Sequence, residues 1–224
     1  MTVPPPKSPF LLGLRIATVG LLLALAFLLY LRWDLKKKAA ADAAAGQVQA
    51  LPRFGEVGDF SLVGSDGKPF SSAALKGKVW VAQFFFTDCG GPCPAITTNL
   101  VQLQGMLGDA RDVRIVAVSI DPENDTPAKL RDYAALHHAD PSRWIFLTGP
   151  EPEVHDLVMK RLLLGYQKNT EPGATAATRM VHSTKVVLVD ATGTVRAYYD
   201  GLDADLAQQI LPGVASLMRE AHLK

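Results

Sequence analysis

The two cysteines of the chain, Cys89 and Cys93, lie where an apolar run gives way to a helical pattern. Residues 79–86 are rich in β-branched and aromatic side chains, which predicts a buried strand. After Pro94, apolar side chains recur at helical spacing, at Ile96, Leu100, Leu103 and Leu107. A strand that enters a helix through such a turn brings both sulfurs to the helix N-terminus, where the backbone N–H groups and the helix dipole favour thiolates. We therefore expect the function to lie at this turn.

The remaining segments predict strands and helices in alternation. A hairpin is predicted around the 65–67 turn, and further strands are predicted at residues 113–119, 144–147, 185–190 and 194–199. Helices are predicted at residues 94–107, 126–138, 153–164 and 203–217, the last broken or kinked at Pro212. The resulting order, β–α–β–α–β–α–β–β–α, predicts an α/β fold in which a mixed sheet carries helices on both faces.

The N-terminus predicts a membrane anchor. Residues 1–9 are a short proline-rich head, and residues 10–31 are almost wholly apolar, interrupted only by Arg15. Such a stretch is long enough to span a hydrocarbon core of about 30 Å as a helix. A cleaved signal peptide is the alternative, but no small-residue cleavage site directly follows the run and the cations at residues 36–38 come next. We therefore predict a single uncleaved transmembrane helix.

Beyond the anchor, residues 32–53 are alanine-rich and predict a linker, and residues 54–224 predict the folded domain. The orientation is open to two interpretations. The cations after the anchor outnumber Lys7 and Arg15 before it, and the positive-inside rule would then leave the domain in the cytoplasm. The cysteine chemistry favours the opposite side, and we follow the chemistry.

Composition excludes some classes of function. The net charge is only +1 and the body of the domain contains no basic block, so we predict no nucleic-acid partner. Two cysteines are too few for a disulfide scaffold. A bridge between them would close so short a loop that it would stabilise the fold by only about 2 kcal/mol. A purely structural disulfide is therefore a poor explanation of the pair.

Two chemistries remain open for Cys89 and Cys93. A pair of thiolates makes a soft, low-coordinate site, which selects Cu(I) over hard cations. Zinc would require four ligands, and the chain has no second cysteine pair. A redox dithiol is the alternative, although its familiar form has two residues between the cysteines where this chain has three.

A third ligand can be sought among the five histidines. Four of them suit structural roles at helix ends, in a polar helix or in the tail: His137, His138, His155 and His222. His182 differs, because it precedes the predicted strand at 185–190 and follows a glycine- and alanine-containing loop at 171–178. In this topology it can face the start of the first helix, and by position alone a structural role and a ligand role are equally supported.

Other polar or soft residues near these motifs have simpler explanations. Asp121 and Asp125 fit a turn and a helix entry better than a direct role at a metal. Met180 and residues 84–86 suit the core.

Three motifs in order resemble the Sco/SenC family. They are Phe86-Thr87-x-Cys89-x-x-x-Cys93-Pro94, then Ser119-Ile120-Asp121-Pro122-Glu123-Asn124-Asp125-Thr126-Pro127, then His182-Ser183 before a strand and an Asp-x-x-Gly turn. The resemblance covers about residues 54–217. It implies a thioredoxin-like fold in a membrane-anchored copper protein that assists the assembly of cytochrome c oxidase. It further implies that Cys89, Cys93 and His182 are copper ligands, for Cu(I) and also for Cu(II).

The resemblance also implies partners and a location. The partner would be the copper-binding subunit of cytochrome c oxidase, with another copper chaperone or a thioredoxin-like reductant as a further partner. The domain would lie on the periplasmic side of the bacterial inner membrane. The main function would then not be enzymatic. The alternative is a thiol–disulfide oxidoreductase that keeps the copper-ligand cysteines of the oxidase reduced, with Cys89 attacking and Cys93 resolving.

Two departures from the family pattern concern the same site. The family often has a Pro-Asp-Val-like tripeptide between the cysteines, where this chain has Gly90-Gly91-Pro92. An aspartate often precedes the histidine, where this chain has Val181. We expect the first change to alter the stiffness of the loop and the second to alter copper affinity or redox behaviour, because it removes an acceptor near the metal.

Overall fold

The computed structural model describes residue 23, residues 25–36 and residues 51–222. Residues 25–36 are helical. Among the described residues, no helix combines the length and the apolar character needed to cross a bilayer. The predicted anchor at residues 10–31 lies largely outside the described residues. The same is true of most of the predicted linker at residues 32–53, although its first residues continue the helix.

The described part of the domain contains a large mixed sheet and a separate hairpin. The strands are β1 Gly55–Glu56, β2 Ser61–Gly64, β3 Pro69–Ser71, β4 Val79–Phe85, β5 Val113–Ser119, β6 Trp144–Thr148, β7 Tyr166–Lys168, β8 Met180–His182, β9 Lys185–Val189 and β10 Thr194–Asp200. Eight of them form one sheet in the order β1-β10-β9-β4-β5-β6-β2-β3, and β7 pairs with β8. The pairs β4–β5 and β5–β6 are parallel, and all other pairs are antiparallel. The predicted mixed sheet with flanking helices is confirmed.

Four α-helices flank the sheet: α1 Cys93–Met106, α2 Pro127–Leu136, α3 Glu151–His155 and α4 Leu206–Glu220. Short 3₁₀ turns cover Ser72–Leu75 and Ala176–Thr178, and α3 runs on into a π-helical segment at Asp156–Arg161. Thr126 caps α2 as predicted, since its side chain accepts a hydrogen bond from the backbone N–H of Lys129. Of the two effects predicted for Pro212, a break or a kink, the break is wrong, because the helix continues through this residue. Pro212 lies on the exposed face of α4, and the continuous apolar face on the other side keeps the helix intact.

The sheet brings three chain segments to one edge. All seven residues of β4 are buried, as expected for a central strand covered on both faces. Because β4 and β5 are parallel, with Phe85 opposite Ser119, both strands end at the same edge. The antiparallel pairing of β9 with β4 means that β9 begins there too. The turn after β4, the loop after β5 and the residues before β9 therefore meet at this edge, which we call the site edge.

The opposite edge of the sheet secures the start of the domain. Arg196 is only 2 % exposed, and its guanidinium donates hydrogen bonds to the carbonyl oxygens of Leu51 and Pro52. It also lies 2.8 Å from a carboxylate oxygen of Asp190 and 3.1 Å from one of Glu220. The chain therefore enters the domain at the edge away from the cysteines.

We predict that Arg196→Met destabilises the domain by about 3 kcal/mol, because it leaves the buried carboxylate of Asp190 with only one ion pair among the described residues, the long, exposed one to Arg53. Urea denaturation of the purified full-length chain measures this change. Lys76→Met is the matched control, since Lys76 pairs with Asp59 on the exposed surface and such pairs contribute about 0–1 kcal/mol. Equal midpoints for the two variants would contradict the assigned role of Arg196.

Candidate metal centre

The two cysteines occupy different parts of the turn between β4 and α1. Cys93 is the first residue of α1 and is fully buried, whereas Cys89 lies in the preceding turn and is partly exposed. The backbone N–H of Cys89 donates a hydrogen bond to the carbonyl of Phe86 at 3.2 Å, which closes the turn. The strand–turn–helix arrangement is confirmed, but only one of the two sulfurs belongs to the helix itself. Both thiols are free.

Gly90 joins this turn to the segment that leads to His182. Its N–H donates a hydrogen bond to the carbonyl oxygen of Ala177 at 3.0 Å. A Cβ on residue 90 would lie 2.9 Å from the Cβ of Ala177, closer than two carbons can pack. Glycine is therefore required here for the close approach of the two backbones.

His182 ends β8, where it pairs with Tyr166 of β7. Its Nδ1 lies 2.7 Å from the carbonyl oxygen of Ser183, which can only accept, so the ring proton is on Nδ1. The lone pair of Nε2 then faces the Sγ of Cys93 at 3.2 Å. The ring of Phe86 packs edge-on against the imidazole, with centroids 6.3 Å apart. The tautomer and orientation of His182 are thus those needed to bind a metal through Nε2.

Cys89, Cys93 and His182 are brought together as a candidate ligand set. Their ligand atoms lie within 4.8 Å of one another, and among the described residues this is the one cluster of histidine, cysteine or carboxylate side chains arranged for a metal ion. Bonds from sulfur or nitrogen ligands to a metal such as zinc are about 2.0–2.3 Å long, so two atoms bound to the same ion lie at most about 4.6 Å apart. The three side chains therefore need to move together only slightly to bind one ion. Two thiolates and one imidazole form a soft set, which suits Cu(I).

Two of the candidate ligands, Cys89 and His182, border an open pocket of about 310 Å³, while the buried Cys93 lies behind them. Gly91, Pro92 and Val181 lie on its wall, and Val181 is 52 % exposed. The site can therefore be reached from solvent by another protein's ligand side chain.

The two thiols differ sharply in acidity. The hydrogen bond from Cys93 is the main cause that lowers the pKa of Cys89 to about 4, and burial opposes it. The same contact with Cys89, together with burial, raises the pKa of Cys93. The pair titrates as a unit, and at neutral pH it holds one proton and one negative charge. Binding of a metal to both sulfurs therefore releases the remaining proton.

A buried carboxylate fixes the strand ends behind the cysteine turn. Asp125 is fully buried and accepts hydrogen bonds from the Ser119 hydroxyl, the Thr87 hydroxyl and the Thr87 N–H. Burial raises the pKa of Asp125, and these hydrogen bonds oppose the increase. Asp125 thus holds the end of β4 to the end of β5, a contact that its predicted role at a helix entry did not include.

An ion-pair network at the site edge was missed by the sequence reasoning. The guanidinium of Arg179 pairs with Asp88 at 2.5 Å and also with Asp121. Asp121 forms the predicted turn as well, since its carbonyl accepts hydrogen bonds from the N–H groups of Asn124 and Asp125. The partners of Arg179 are 91 and 58 residues away in the sequence, so no local pattern marks it.

The remaining sequence candidates lie where structural roles were expected. Phe84, Phe85, Phe86 and Met180 belong to the buried core. His137 caps the C-terminal end of α2, His138 adopts a left-handed conformation just after it, and His155 ends α3. None of them joins the metal-binding cluster of the described residues.

Comparisons with known proteins agree with one another. A family model described as SCO1/SenC matches residues 49–219. The SCO1 protein homolog of Bacillus subtilis is 34 % identical over 176 residues, which is 78 % of this chain and 89 % of that protein. BsSco, described as a member of the Sco family of cytochrome c oxidase assembly proteins with a disulfide switch, is 32 % identical, with a TM-score of 0.65 over 80 % of this chain and 99 % of that chain. Arabidopsis thaliana ScoI with copper bound is 27 % identical, with a TM-score of 0.61 over 73 % of this chain and 98 % of that chain.

We predict that the alkylation rate of Cys89 stays nearly constant from pH 9 down to about pH 5 and falls only near its pKa of about 4. An ordinary thiol loses reactivity below about pH 8.5, because only the thiolate reacts. Mass spectrometry after iodoacetamide pulses at each pH gives the rate. Cys93→Ala is the control, since removal of the hydrogen-bond donor should move the midpoint up. A midpoint near 8 in the unmodified chain would contradict the assignment.

Proposed function

Since this chain belongs to the SCO1/SenC family, we propose that it is a copper-binding assembly factor for cytochrome c oxidase, with Cys89, Cys93 and His182 as the copper ligands. The observation that carries the proposal is the convergence of these three side chains, whose ligand atoms lie within 4.8 Å of one another. The copper-bound Arabidopsis relative and the description of BsSco support the same function.

The local chemistry suits Cu(I) as cargo. The thiolate of Cys89 attracts the ion first, since it carries the negative charge of the pair at neutral pH. The proton of Cys93 leaves when its sulfur binds. Nε2 of His182 completes a three-coordinate site, with its orientation set by the hydrogen bond from Nδ1 to Ser183. A set that contains an imidazole also tolerates Cu(II), so we propose that both oxidation states bind.

Copper would leave by exchange of ligands with the copper-binding subunit of the oxidase. The pocket beside the ligands lets a soft side chain of the partner approach while the cysteines still hold the ion. His182, a neutral ligand on the separate hairpin, is the ligand we expect to leave first. Another copper chaperone or a thioredoxin-like reductant would act before this step, to load copper or to reduce the cysteine pair.

Thiol–disulfide exchange is a secondary chemistry of the same pair. The lowered pKa of Cys89 supports its role as attacking thiolate, and Cys93 is positioned to resolve a mixed disulfide. The disulfide switch described for BsSco supports redox chemistry in the family. We propose copper delivery as the main function, because exchange alone gives no reason for the orientation of His182.

We propose that the protein is anchored in the bacterial inner membrane by one helix at residues 10–31, with the domain on the periplasmic side. The apolar character and length of this stretch support the anchor. Residues 32–53 would be the linker, which enters the domain next to Arg196 at the edge opposite the cysteines.

Copper titration of the full-length chain tests the proposed ligands. We expect one Cu(I) per chain, no tight binding in Cys89→Ser or Cys93→Ser, and binding weakened by about tenfold or more in His182→Ala. A competing chromophoric chelator reports the affinity. His138→Asn is the matched control and should bind like the unmodified chain, because His138 is exposed and lies outside the cluster, and asparagine tolerates its left-handed backbone.

The titration and a disulfide-reduction assay together separate copper delivery from thiol–disulfide exchange. Unchanged affinity in His182→Ala would remove His182 from the site. Disulfide reduction that survives in His182→Ala, together with no tight copper binding in the unmodified chain, would favour the oxidoreductase.

Reporter fusions test the proposed topology. Alkaline phosphatase folds only where disulfides form, so we predict that a fusion after residue 50 is active and that a fusion after residue 9, before the anchor, is inactive. An inactive fusion at residue 50 that fluoresces when green fluorescent protein replaces the phosphatase would place the domain in the cytoplasm and contradict the proposal.

A further inference from the structure

His182 is carried by a segment that the main sheet does not hold. Within residues 51–222, β8 pairs only with β7. A two-stranded hairpin alone is marginally stable in water. Besides the short link from His182 to β9 and the hydrogen bond from Gly90 to Ala177, the 3.2 Å distance between Nε2 of His182 and Sγ of Cys93 therefore depends on further contacts between this hairpin and the rest of the domain.

Arg179, directly before β8, supplies such a contact. Its Nη2 donates a hydrogen bond to Asp88 at 2.5 Å, and its Nε donates one to Asp121. Asp88 precedes Cys89, and Asp121 follows the end of β5. The guanidinium also lies over the ring of Phe86, 6.0 Å from its centroid. One side chain thus connects the start of β8 to both loops of the site edge.

Burial makes this contact stronger than the other ion pairs of the hairpin. The side chain of Asp121 is 2 % exposed and that of Arg179 is 23 % exposed. Among the described residues, loss of Arg179 would leave the buried Asp121 with the side-chain amide of Asn124 as its hydrogen-bonding side-chain partner and with the more distant charge of Lys168. By contrast, Lys168 and Glu123 are more than half exposed, and such pairs contribute little.

We propose that Arg179 is a positioning residue of the copper site, which holds His182 over the cysteine pair and thereby slows the release of copper. This inference rests on the proposed function. Arg179 does not touch the ion. It fixes the start of β8 relative to the turn that carries Cys89, so its effect on copper passes through His182.

Copper affinity and release in Arg179→Met test the proposal. We expect binding about tenfold weaker, the lower end of the loss seen when groups that orient metal ligands are removed, with a matching rise in the rate of transfer to a chelator. Arg179→Lys should weaken copper binding by a smaller factor than Arg179→Met. Its ammonium keeps the positive charge but does not reproduce the guanidinium fork that binds two carboxylates. Lys185→Met is the matched control: it removes one positive charge three residues after His182, from an exposed pair with Asp200, and should leave affinity unchanged.

A double-mutant cycle distinguishes positioning from general stability. If Arg179 acts through His182, then Arg179→Met causes no further loss of affinity in a His182→Ala background. The Cu(II) complex of Arg179→Met should also show weakened nitrogen coupling in its electron paramagnetic resonance spectrum. Arg179→Lys serves for the cycle if Arg179→Met does not fold.

Two results would overturn the inference alone. One is normal affinity in both Arg179 variants while His182→Ala binds weakly, and the other is an equal loss in the two backgrounds of the cycle. Failure of the unmodified chain to bind copper would instead overturn the proposed function on which the inference rests.

Discussion

The contact between Sγ of Cys93 and Nε2 of His182 joins two residues that are 89 positions apart, and the rest of the site depends on it. Cys93 is held by the rigid junction of β4 with α1, in the core of the domain. His182 belongs to a small hairpin that approaches from outside the sheet. A rigid thiol pair and a ligand on a separate hairpin form a site that can hold an ion and also open. Delivery of copper requires both properties, because an ion held by wholly rigid ligands is released slowly.

Charge is arranged to favour a soft cation. The cysteine pair shares one proton, so the site carries one negative charge before copper arrives. It loses this remaining proton only when copper binds to both sulfurs. The carboxylates nearby do not compete for the ion, because each is already satisfied: Asp125 by hydroxyl and backbone donors, and Asp121 and Asp88 by Arg179. The same carboxylates hold the loops around the ligands in place. The network therefore stabilises the geometry of the site without supplying oxygen ligands.

Sequence reasoning predicted the elements with strong local signals and missed those defined by distant contacts. The apolar run at 79–86, the capped start at Thr126 and the glycine turns marked β4, α2 and the hairpins to within a few residues, because each depends on neighbouring side chains. The strand β8 was not predicted, since it has only three residues, follows a glycine- and alanine-containing loop, and is ordered by its pairing with β7. Arg179 had no signal at all, because its partners are far along the chain. The ligand role of His182 could not be derived from position alone and came from the family resemblance.

X-ray absorption spectroscopy of the Cu(I)-loaded full-length chain tests the three-ligand site most directly. The described geometry predicts a copper environment of two sulfur atoms and one nitrogen atom, with the nitrogen contribution absent in His182→Ala. A spectrum that fits two sulfur atoms alone, and does not change in His182→Ala, would contradict the assignment of His182. It would leave only the cysteine pair as the copper site.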